Sequence, residues 1–188
     1  MADGVTKEPL LVATTCAGLV TVIGTKGVPR AELATRLPRV SRDGRTYVFV
    51  VRPGSRFSDG RPLTAASFAA AIRRVRDPLM QSPHARSYAA DVVSASAHRS
   101  TLTIRLRRRA GDFLARLAMP WACPVPVGLP ADPLGIDQLP GSGPYYVASR
   151  DTGREIVLAR NPHYRGSRPR RPDRIVVTIG GTADANIR

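Results

Sequence analysis

The sequence predicts a mixed α/β fold with a mixed sheet and β-hairpins, on three observations. Residues 92–97 and 101–106 are runs in which apolar and polar residues alternate, joined by a His-Arg-Ser turn. A second pair of such runs, 145–149 and 155–160, flanks an Asp-Thr-Gly turn. Residues 65–76 instead place apolar side chains at helical spacing. A period of two is typical of strands and a period near 3.6 is typical of helices.

The composition indicates a globular, loop-rich chain. It has 188 residues, of which 43% are hydrophobic and 23% are charged, with 16 Gly and 17 Pro. Apolar residues are too frequent for a solvated coil, and the length suffices for one domain or for one lobe of a larger protein. No stretch approaches the roughly 20 apolar residues that a transmembrane helix needs. We therefore expect a packed core.

The strong positive charge allows two interpretations. A formal net charge of +15 and a pI near 11.4 are typical of nucleic-acid-binding domains. However, the chain has only two lysines, and its arginines are spread through all predicted elements. The densest runs, residues 105–109 and 165–174, lack the interleaved aromatic residues of a base-stacking surface. A nucleic-acid-binding module is therefore kept as an alternative, and the main hypothesis expects no nucleic-acid partner.

The first predicted strands are residues 19–23 and residues 46–52. Both are short apolar, β-branched runs, and the second follows an Asp-Gly turn and ends before Pro53-Gly54. In the second strand Tyr47, Phe49 and Val51 share one face. The residues between them are also apolar, so we expect this strand to be buried on most of both faces.

A helix is predicted for residues 65–76. Thr64 is its candidate N-cap, because a threonine hydroxyl accepts a hydrogen bond from a free backbone N–H of the first turn. Phe68, Ile72 and Val75 form one stripe, and Asp77-Pro78 stops the helix. Burying Phe68 and Ile72 is worth on the order of 1.5–3 kcal/mol each, so the helix is expected to pack on the sheet.

The second half of the chain is predicted to contain more loop. Residues 112–119 form a short helix that breaks at Pro120, and residues 120–144 are an ordered loop rich in Pro and Gly. A last strand is predicted at residues 174–179. The chain stops soon after this strand, so we expect it to be truncated.

Residues used for catalysis or metal binding form no recognisable constellation. The three histidines are far apart, and Cys16 and Cys123 stand in no metal-ligand spacing. We therefore expect no enzyme, no metal and no cofactor. The two cysteines are expected to be isolated buried thiols, with a disulfide possible only if the fold brings them together.

A long motif in the first half resembles a known family. Residues 43–49 read Asp-Gly-Arg-Thr-Tyr-Val-Phe, and residues 51–65 read Val-Arg-Pro-Gly-Ser-Arg-Phe-Ser-Asp-Gly-Arg-Pro-Leu-Thr-Ala. This strand–turn–helix sequence resembles the hallmark of family 5 bacterial extracellular solute-binding proteins, the receptors of peptide and nickel ABC importers. Each part has a local reason, because Pro-Gly ends the strand, Asp-Gly makes the turn and threonine caps the helix.

Four later segments resemble the same family in the same order. They are a helix with its proline at 112–120, Gly-Ser-Gly-Pro-Tyr-Tyr at 141–146, a strand with an Arg-Asn-Pro-His-Tyr turn at 156–166, and a strand at 173–177. The resemblance covers about residues 10–185. It implies a periplasmic-binding-protein-like fold of type II, a two-lobed clamp. Residues 1–188 would be its first lobe only, truncated, with 43–150 as an inserted subdomain.

The sequence departs from the family at three points. Where the family often has an aromatic and an acidic residue before Gly-Leu, this chain has Cys16-Ala17-Gly18-Leu19. The first helix has Ala65-Ala66-Ser67 in place of the usual acidic residues after its threonine. The second lobe, which supplies many ligand contacts in the family, is expected to lie outside these 188 residues.

The resemblance implies a non-enzymatic substrate-binding component of an ABC importer. Its partners would be an oligopeptide, a dipeptide or another small solute, together with the ABC permease. The implied location is extracytoplasmic, in the periplasm or as a cell-surface lipoprotein, although this chain shows no signal peptide. Membrane association would occur only through the permease or through a lipid anchor outside this chain. The alternatives are the ligand-sensing lobe of a fused transcriptional regulator and the nucleic-acid-binding module.

Carried over by position, the resemblance implies eight candidate ligand-binding residues. Residues 16–19 are expected near the cleft, with a buried strand start as the equally supported alternative. Residues 81–88 correspond to a family loop that brings an aromatic side chain towards the ligand, although a solvated loop is the favoured explanation for its histidine. For the other aromatic candidates, core packing explains the residue as well or better. The full set is Cys16, Ala17, Gly18, Leu19, His84, Tyr88, Trp121 and Tyr145.

Overall fold

The structure is a computed structural model, and it describes residues 7–22, 27–132, 136 and 139–179. These residues contain four α-helices and nine strands. The helices are α1 (Lys7–Thr15), α2 (Ala65–Arg76), α3 (Pro83–Ser87) and α4 (Phe113–Leu117). The strands are β1 (Val20–Val22), β2 (Pro29–Ala31), β3 (Arg39–Val40), β4 (Thr46–Val50), β5 (Val92–His98), β6 (Thr101–Leu106), β7 (Tyr145–Asp151), β8 (Glu155–Arg160) and β9 (Arg174–Thr178). Two short 3₁₀ turns lie at Pro78–Met80 and Pro120–Ala122.

The strands form three sheets, with the orders β1–β2, β3–β4–β6–β5 and β7–β8–β9. The mixed α/β class and both predicted hairpins are confirmed. The expectation of a mixed sheet is corrected, because every pairing between the described strands is antiparallel. Hairpins join β5 to β6 and β7 to β8, and a tight hairpin can connect only antiparallel neighbours.

Strand β4 carries the main core of the four-stranded sheet. Tyr47, Phe49 and the residue just after the strand, Val51, are all buried, whereas Val48 and Val50 on the other face are half-buried. Phe49 pairs across to Leu102 of β6 and Tyr47 pairs to Ile104, both fully buried. The strand therefore buries one face completely, and the expectation that both faces are largely buried holds only in part.

Helix α2 has the bounds that the sequence predicts, and it packs on β5 and β6. Phe68 and Ile72 are buried against the sheet. At its start, the backbone N–H of Thr64 donates to Oγ of Ser67 at 3.2 Å, and the N–H of Ser67 donates to the Thr64 carbonyl at 3.0 Å. These bonds satisfy groups that a helix terminus otherwise leaves free.

The three-stranded sheet has its own small core. Tyr145, Ile156 and Leu158 are buried there, and Leu11 of α1 packs against them. The sequence did not predict α1. The second half of this helix, residues 11–15, includes the β-branched Val12, Thr14 and Thr15, which have low helix propensity. Packing on this sheet supplies the missing stability.

Other differences concern short elements. Residues 81–88, expected to be a loop, contain the single-turn helix α3, and the two- and three-residue strands β2 and β3 were not predicted. Elements of two to five residues are too short to show a hydrophobic period. Ile23, expected to end the first strand, lies outside the described residues.

Candidate functional site

Residues 16–19, which link α1 to β1, are held by a second segment that crosses them. Ala17 donates its N–H to Oγ of Ser142 at 2.9 Å, and this hydroxyl lies 3.1 Å from the Ala17 carbonyl, to which it donates in turn. The N–H of Gly143 donates to the carbonyl of Thr15 at 2.8 Å. The serine hydroxyl and one backbone pair therefore join two segments that lie 125 residues apart in sequence.

The glycine at position 143 makes this crossing possible. A Cβ atom there would lie 2.6 Å from the carbonyl oxygen of Thr14 and 2.8 Å from the backbone nitrogen of Cys16. These neighbours are backbone atoms in a bonded segment and cannot move aside cheaply. Only glycine allows two main chains to approach so closely.

A buried carboxylate fixes the next part of the segment. Glu32 accepts the N–H of Gly18 on Oε2 at 3.0 Å, and it accepts the hydroxyl of Tyr164 on Oε1 at 3.1 Å. Nε of Arg168 also donates to Oε1, at 2.5 Å. Burial, reinforced by the Glu32 charge, raises the pKa of Tyr164, which keeps its hydroxyl protonated as a donor.

Arg168 also closes the end of α1. Its two terminal nitrogens donate to the backbone carbonyls of Ala13 and Cys16. The last carbonyls of a helix have no partner within the helix, so a guanidinium placed there satisfies them and complements the negative end of the helix dipole. One side chain thus connects α1, residues 16–19 and Glu32.

The two cysteines form a disulfide, Cys16–Cys123, with 5.8 Å between their Cα atoms. The expectation of two isolated thiols is wrong. Helix α4, which precedes Cys123, packs beside β1, which follows Cys16, and this packing brings the two cysteines together. The bond links residues 16–19 to the 3₁₀ turn that carries Trp121.

A second buried ion pair connects two of the aromatic candidates. Arg116 donates to the backbone carbonyl of Tyr88 at 3.3 Å and to Oδ2 of Asp91 at 3.2 Å, and its own carbonyl accepts Nε1–H of Trp121 at 2.6 Å. Arg108 donates to the other oxygen of Asp91 at 2.7 Å. The hydrogen bond from Arg108, followed by that from Arg116, holds the pKa of Asp91 below its ordinary value.

The eight candidates differ in accessibility. Four of them are at most 4% exposed and contribute their side chains to packing: Ala17, Leu19, Trp121 and Tyr145. The hydroxyl of Tyr145 donates to the Pro172 carbonyl at 2.9 Å. Cys16, Gly18 and Tyr88 are half-buried, and His84 is exposed on α3, with its ring 5.6 Å from that of Tyr88. The ligand-binding roles of all eight stay predictions.

Sequence reasoning missed the residues that organise this region. Glu32, Ser142 and Arg168 were not singled out, although Glu32 is the one acidic residue between Glu8 and Asp43. An isolated acid in an arginine-rich segment is a signal for a specific partner. Which arginine it meets depends on the fold, because Arg168 lies 136 positions away.

The described residues contain neither a metal-binding cluster nor a membrane-spanning helix. No group of three or more His, Cys, Asp or Glu side chains is placed to hold a metal ion within residues 7–22, 27–132, 136 and 139–179. In the same part of the chain, none of the helices has both the length and the apolar character needed to cross a bilayer.

Comparison with known sequences gives a family match over most of the chain. Residues 28–188 match the family described as bacterial extracellular solute-binding proteins, family 5 middle. Protein XP55 of Streptomyces lividans is 36% identical over 163 residues, which are 85% of this chain and 29% of that protein. The nickel-binding periplasmic protein of Escherichia coli (strain K12) is 30% identical over 135 residues, which are 69% of this chain and 25% of that protein.

Comparison with solved structures gives the same family. Clavulanic acid biosynthesis oligopeptide binding protein 2 superposes with a TM-score of 0.76 at 31% sequence identity, covering 95% of this chain and 37% of that one. The chain thus spans roughly a third of the length of the proteins it matches. Nothing in these comparisons favours a transcriptional regulator or a nucleic-acid-binding module.

Proposed function

Because this chain belongs to the family 5 bacterial extracellular solute-binding proteins, we propose that it is part of a receptor that binds a peptide or a related small solute and delivers it to an ABC permease. The observation that carries this proposal is the match to an oligopeptide-binding protein, at 31% identity over 95% of the chain with a TM-score of 0.76. Holding and releasing a solute requires shaped backbone and aromatic surfaces rather than a nucleophile, so the receptor is not an enzyme.

Within the site, the accessible candidates and the buried candidates have different tasks. Gly18 and Tyr88 are half-buried, and we assign them to the surface that meets the solute. The buried Ala17, Leu19 and Trp121 support that surface from beneath. The dense hydrogen bonding of residues 16–19 supports this division, because a preorganised segment loses little entropy when a ligand binds.

The location of the receptor is outside the cytoplasm, in the periplasm or at the cell surface. The Cys16–Cys123 disulfide supports this, because such bonds persist in oxidising compartments and are rare in the cytosol. Since Cys16 is paired, a lipid anchor would need a different cysteine. We also propose residues 43–150 as an inserted subdomain, since three of the four strands of the four-stranded sheet, β4, β5 and β6, lie within that range; β3 lies just before it, and β7 at its end belongs to the three-stranded sheet.

The test is ligand binding by the full-length protein. Pools of dipeptides, tripeptides and pentapeptides, and separately nickel with histidine, are added while thermal unfolding is followed. A ligand at 100 times its Kd stabilises the folded state by about 2.7 kcal/mol, so a matching peptide pool raises Tm by several degrees. Stabilisation by nickel alone, or by none of these additions, contradicts a peptide receptor.

A pair of tyrosine variants then tests the site. Tyr88→Leu is expected to weaken binding of the selected peptide about tenfold, because it removes an aromatic surface worth about 1–2 kcal/mol. Tyr146→Leu is the matched control, since Tyr146 is a half-buried tyrosine on β7 outside the candidate set. Equal losses in both variants would remove Tyr88 from the site.

A further inference from the structure

A cavity of about 220 Å³ lies between the end of β4, the start of α2 and the turn of the β5–β6 hairpin. Most of its lining surface is apolar, and the lining includes residues on both sides of the turn that precedes α2, among them Val51, Pro53, Leu63 and Ala65. None of the eight candidate ligand-binding residues lines it. The cavity is therefore distinct from the region around residues 16–19.

Three arginines also line the cavity, and their charges are not balanced locally. Arg52, Arg56 and Arg99 form no ion pair with any carboxylate among the residues that the structure describes. Arg52 donates to the backbone carbonyl of Glu32 at 3.4 Å, and Arg56 donates to that of Gly60 at 2.8 Å. The Nε–H of Arg52 is buried and has no hydrogen-bond partner in the described part of the chain. An unpaired buried donor on a cation costs free energy, and the charge of an anion beside the guanidinium offsets part of that cost.

The start of α2 adds to this positive potential. Thr64 and Ala65 line the cavity, and the first turn of α2 contains no acidic residue. The sequence has Ala65-Ala66-Ser67 where the family often has acidic side chains. The positive end of the helix dipole is therefore uncompensated from within the chain, beside the three arginines.

We propose that this cavity binds a small organic carboxylate. The carboxylate is held by the guanidinium groups of Arg52, Arg56 and Arg99, whose planar forks match its two oxygens. The short apolar body of the ligand rests on Val51 and Leu63. The volume is below the 300–1,000 Å³ or so of sites for drug-sized ligands, so a body of about three or four carbons fits.

The test measures binding of acetate, butyrate and inorganic phosphate to the full-length protein by saturation-transfer NMR and calorimetry. Butyrate is expected to bind more tightly than acetate by roughly fourfold for each methylene that is buried. Phosphate is expected to bind more weakly than butyrate, because it offers nothing to the apolar wall. Equal affinity for all three anions would indicate only non-specific attraction to a chain of net charge +15 and would overturn the proposal.

A first pair of variants distinguishes binding in the cavity from attraction to the overall positive charge of the protein. Arg99→Asn is expected to weaken butyrate binding about tenfold, and asparagine tolerates the positive φ of 53° at this turn, so the fold is preserved. Arg150→Asn, at an exposed arginine of β7, is the matched control and leaves the affinity unchanged. Equal effects of these two variants would contradict the proposal.

A second pair of variants supplies the missing counter-charge. Ala66→Glu places a carboxylate in the first turn of α2, where it competes with the ligand, and is expected to reduce butyrate binding at least tenfold. Ala66→Gln has nearly the same size without the charge and retains binding. If both variants bind butyrate like the unmodified protein, the cavity is not the carboxylate site.

Discussion

The Nε atom of Arg168 lies 2.5 Å from Oε1 of Glu32, although the two residues are 136 positions apart in the chain. The side chain of Glu32 is only 2% exposed and that of Arg168 is 17% exposed. This pair joins the loop after β8 to the residue that follows strand β2, and the same carboxylate holds Gly18. It is therefore a structural centre of the region that we assign to solute binding.

Breaking this pair is expected to destabilise the protein strongly. Glu32→Gln leaves Arg168 partly buried without its counter-charge, and we expect a loss of about 2–4 kcal/mol in the free energy of unfolding. The measurement is urea unfolding of the full-length protein. Asp59→Asn is the control, because it removes the solvent-exposed Asp59–Arg61 pair and should cost less than about 1 kcal/mol. Similar losses in both variants would show that Glu32 has no special role.

Removing the disulfide is expected to lower stability by about 3–5 kcal/mol, because the bond closes a loop whose ends are 107 residues apart and restricts the unfolded chain. The comparison is between the unmodified protein and the double variant Cys16→Ser with Cys123→Ser. A reductant should lower Tm of the unmodified protein and leave the double variant unaffected. Detection of two free thiols in the unreduced, denatured protein would contradict the pairing.

A methyl group at position 143 should be far more damaging than one at position 111. Gly143→Ala places a Cβ 2.6 Å from backbone atoms of residues 14 and 15, so we expect a loss of roughly 2–4 kcal/mol. Gly111→Ala is the matched control, since a Cβ there meets nothing within 4 Å. Chemical denaturation of the two variants should separate them clearly, and equal stabilities would refute the close crossing.

Asp91 should make folding sensitive to acid. Its folded pKa is lowered by the hydrogen bonds from Arg108 and Arg116, so its contribution is present above the unfolded value of about 3.9 and is lost as the pH falls through the folded pKa. Asp91→Asn is expected to be less stable at pH 7 and to lose less further stability between pH 5 and pH 2. Unfolding free energies measured across this range that run parallel for both proteins would exclude the linkage.

The sequence predicted the elements whose pattern is local. Helix α2 is correct at both ends because Thr64 and Asp77-Pro78 mark its boundaries, and the hairpins at 98–101 and 151–155 are marked by alternation and turn residues. The family and the fold class also followed from ordered local motifs. Each such signal is contained in a single hairpin, turn or helix.

The organisation of the candidate site could not be predicted in the same way. The contacts of Ser142 with Ala17 and of Cys123 with Cys16 join residues more than a hundred positions apart. Nothing in the local sequence of either partner specifies the other, because the pairing depends on how separate elements pack. Isolated thiols were expected for this reason, and the disulfide emerged only with the fold.

The Cys16–Cys123 bond closes residues 16–123 into one covalent ring, which includes α4 and most of the described chain before it. A protease that cuts once anywhere between these two cysteines therefore leaves both fragments attached to each other. The arginine run at 105–109, inside this ring, is a natural target for trypsin-like enzymes. A chain nicked in this way would migrate as one species in a non-reducing gel and would come apart only when the sulfur–sulfur link is reduced.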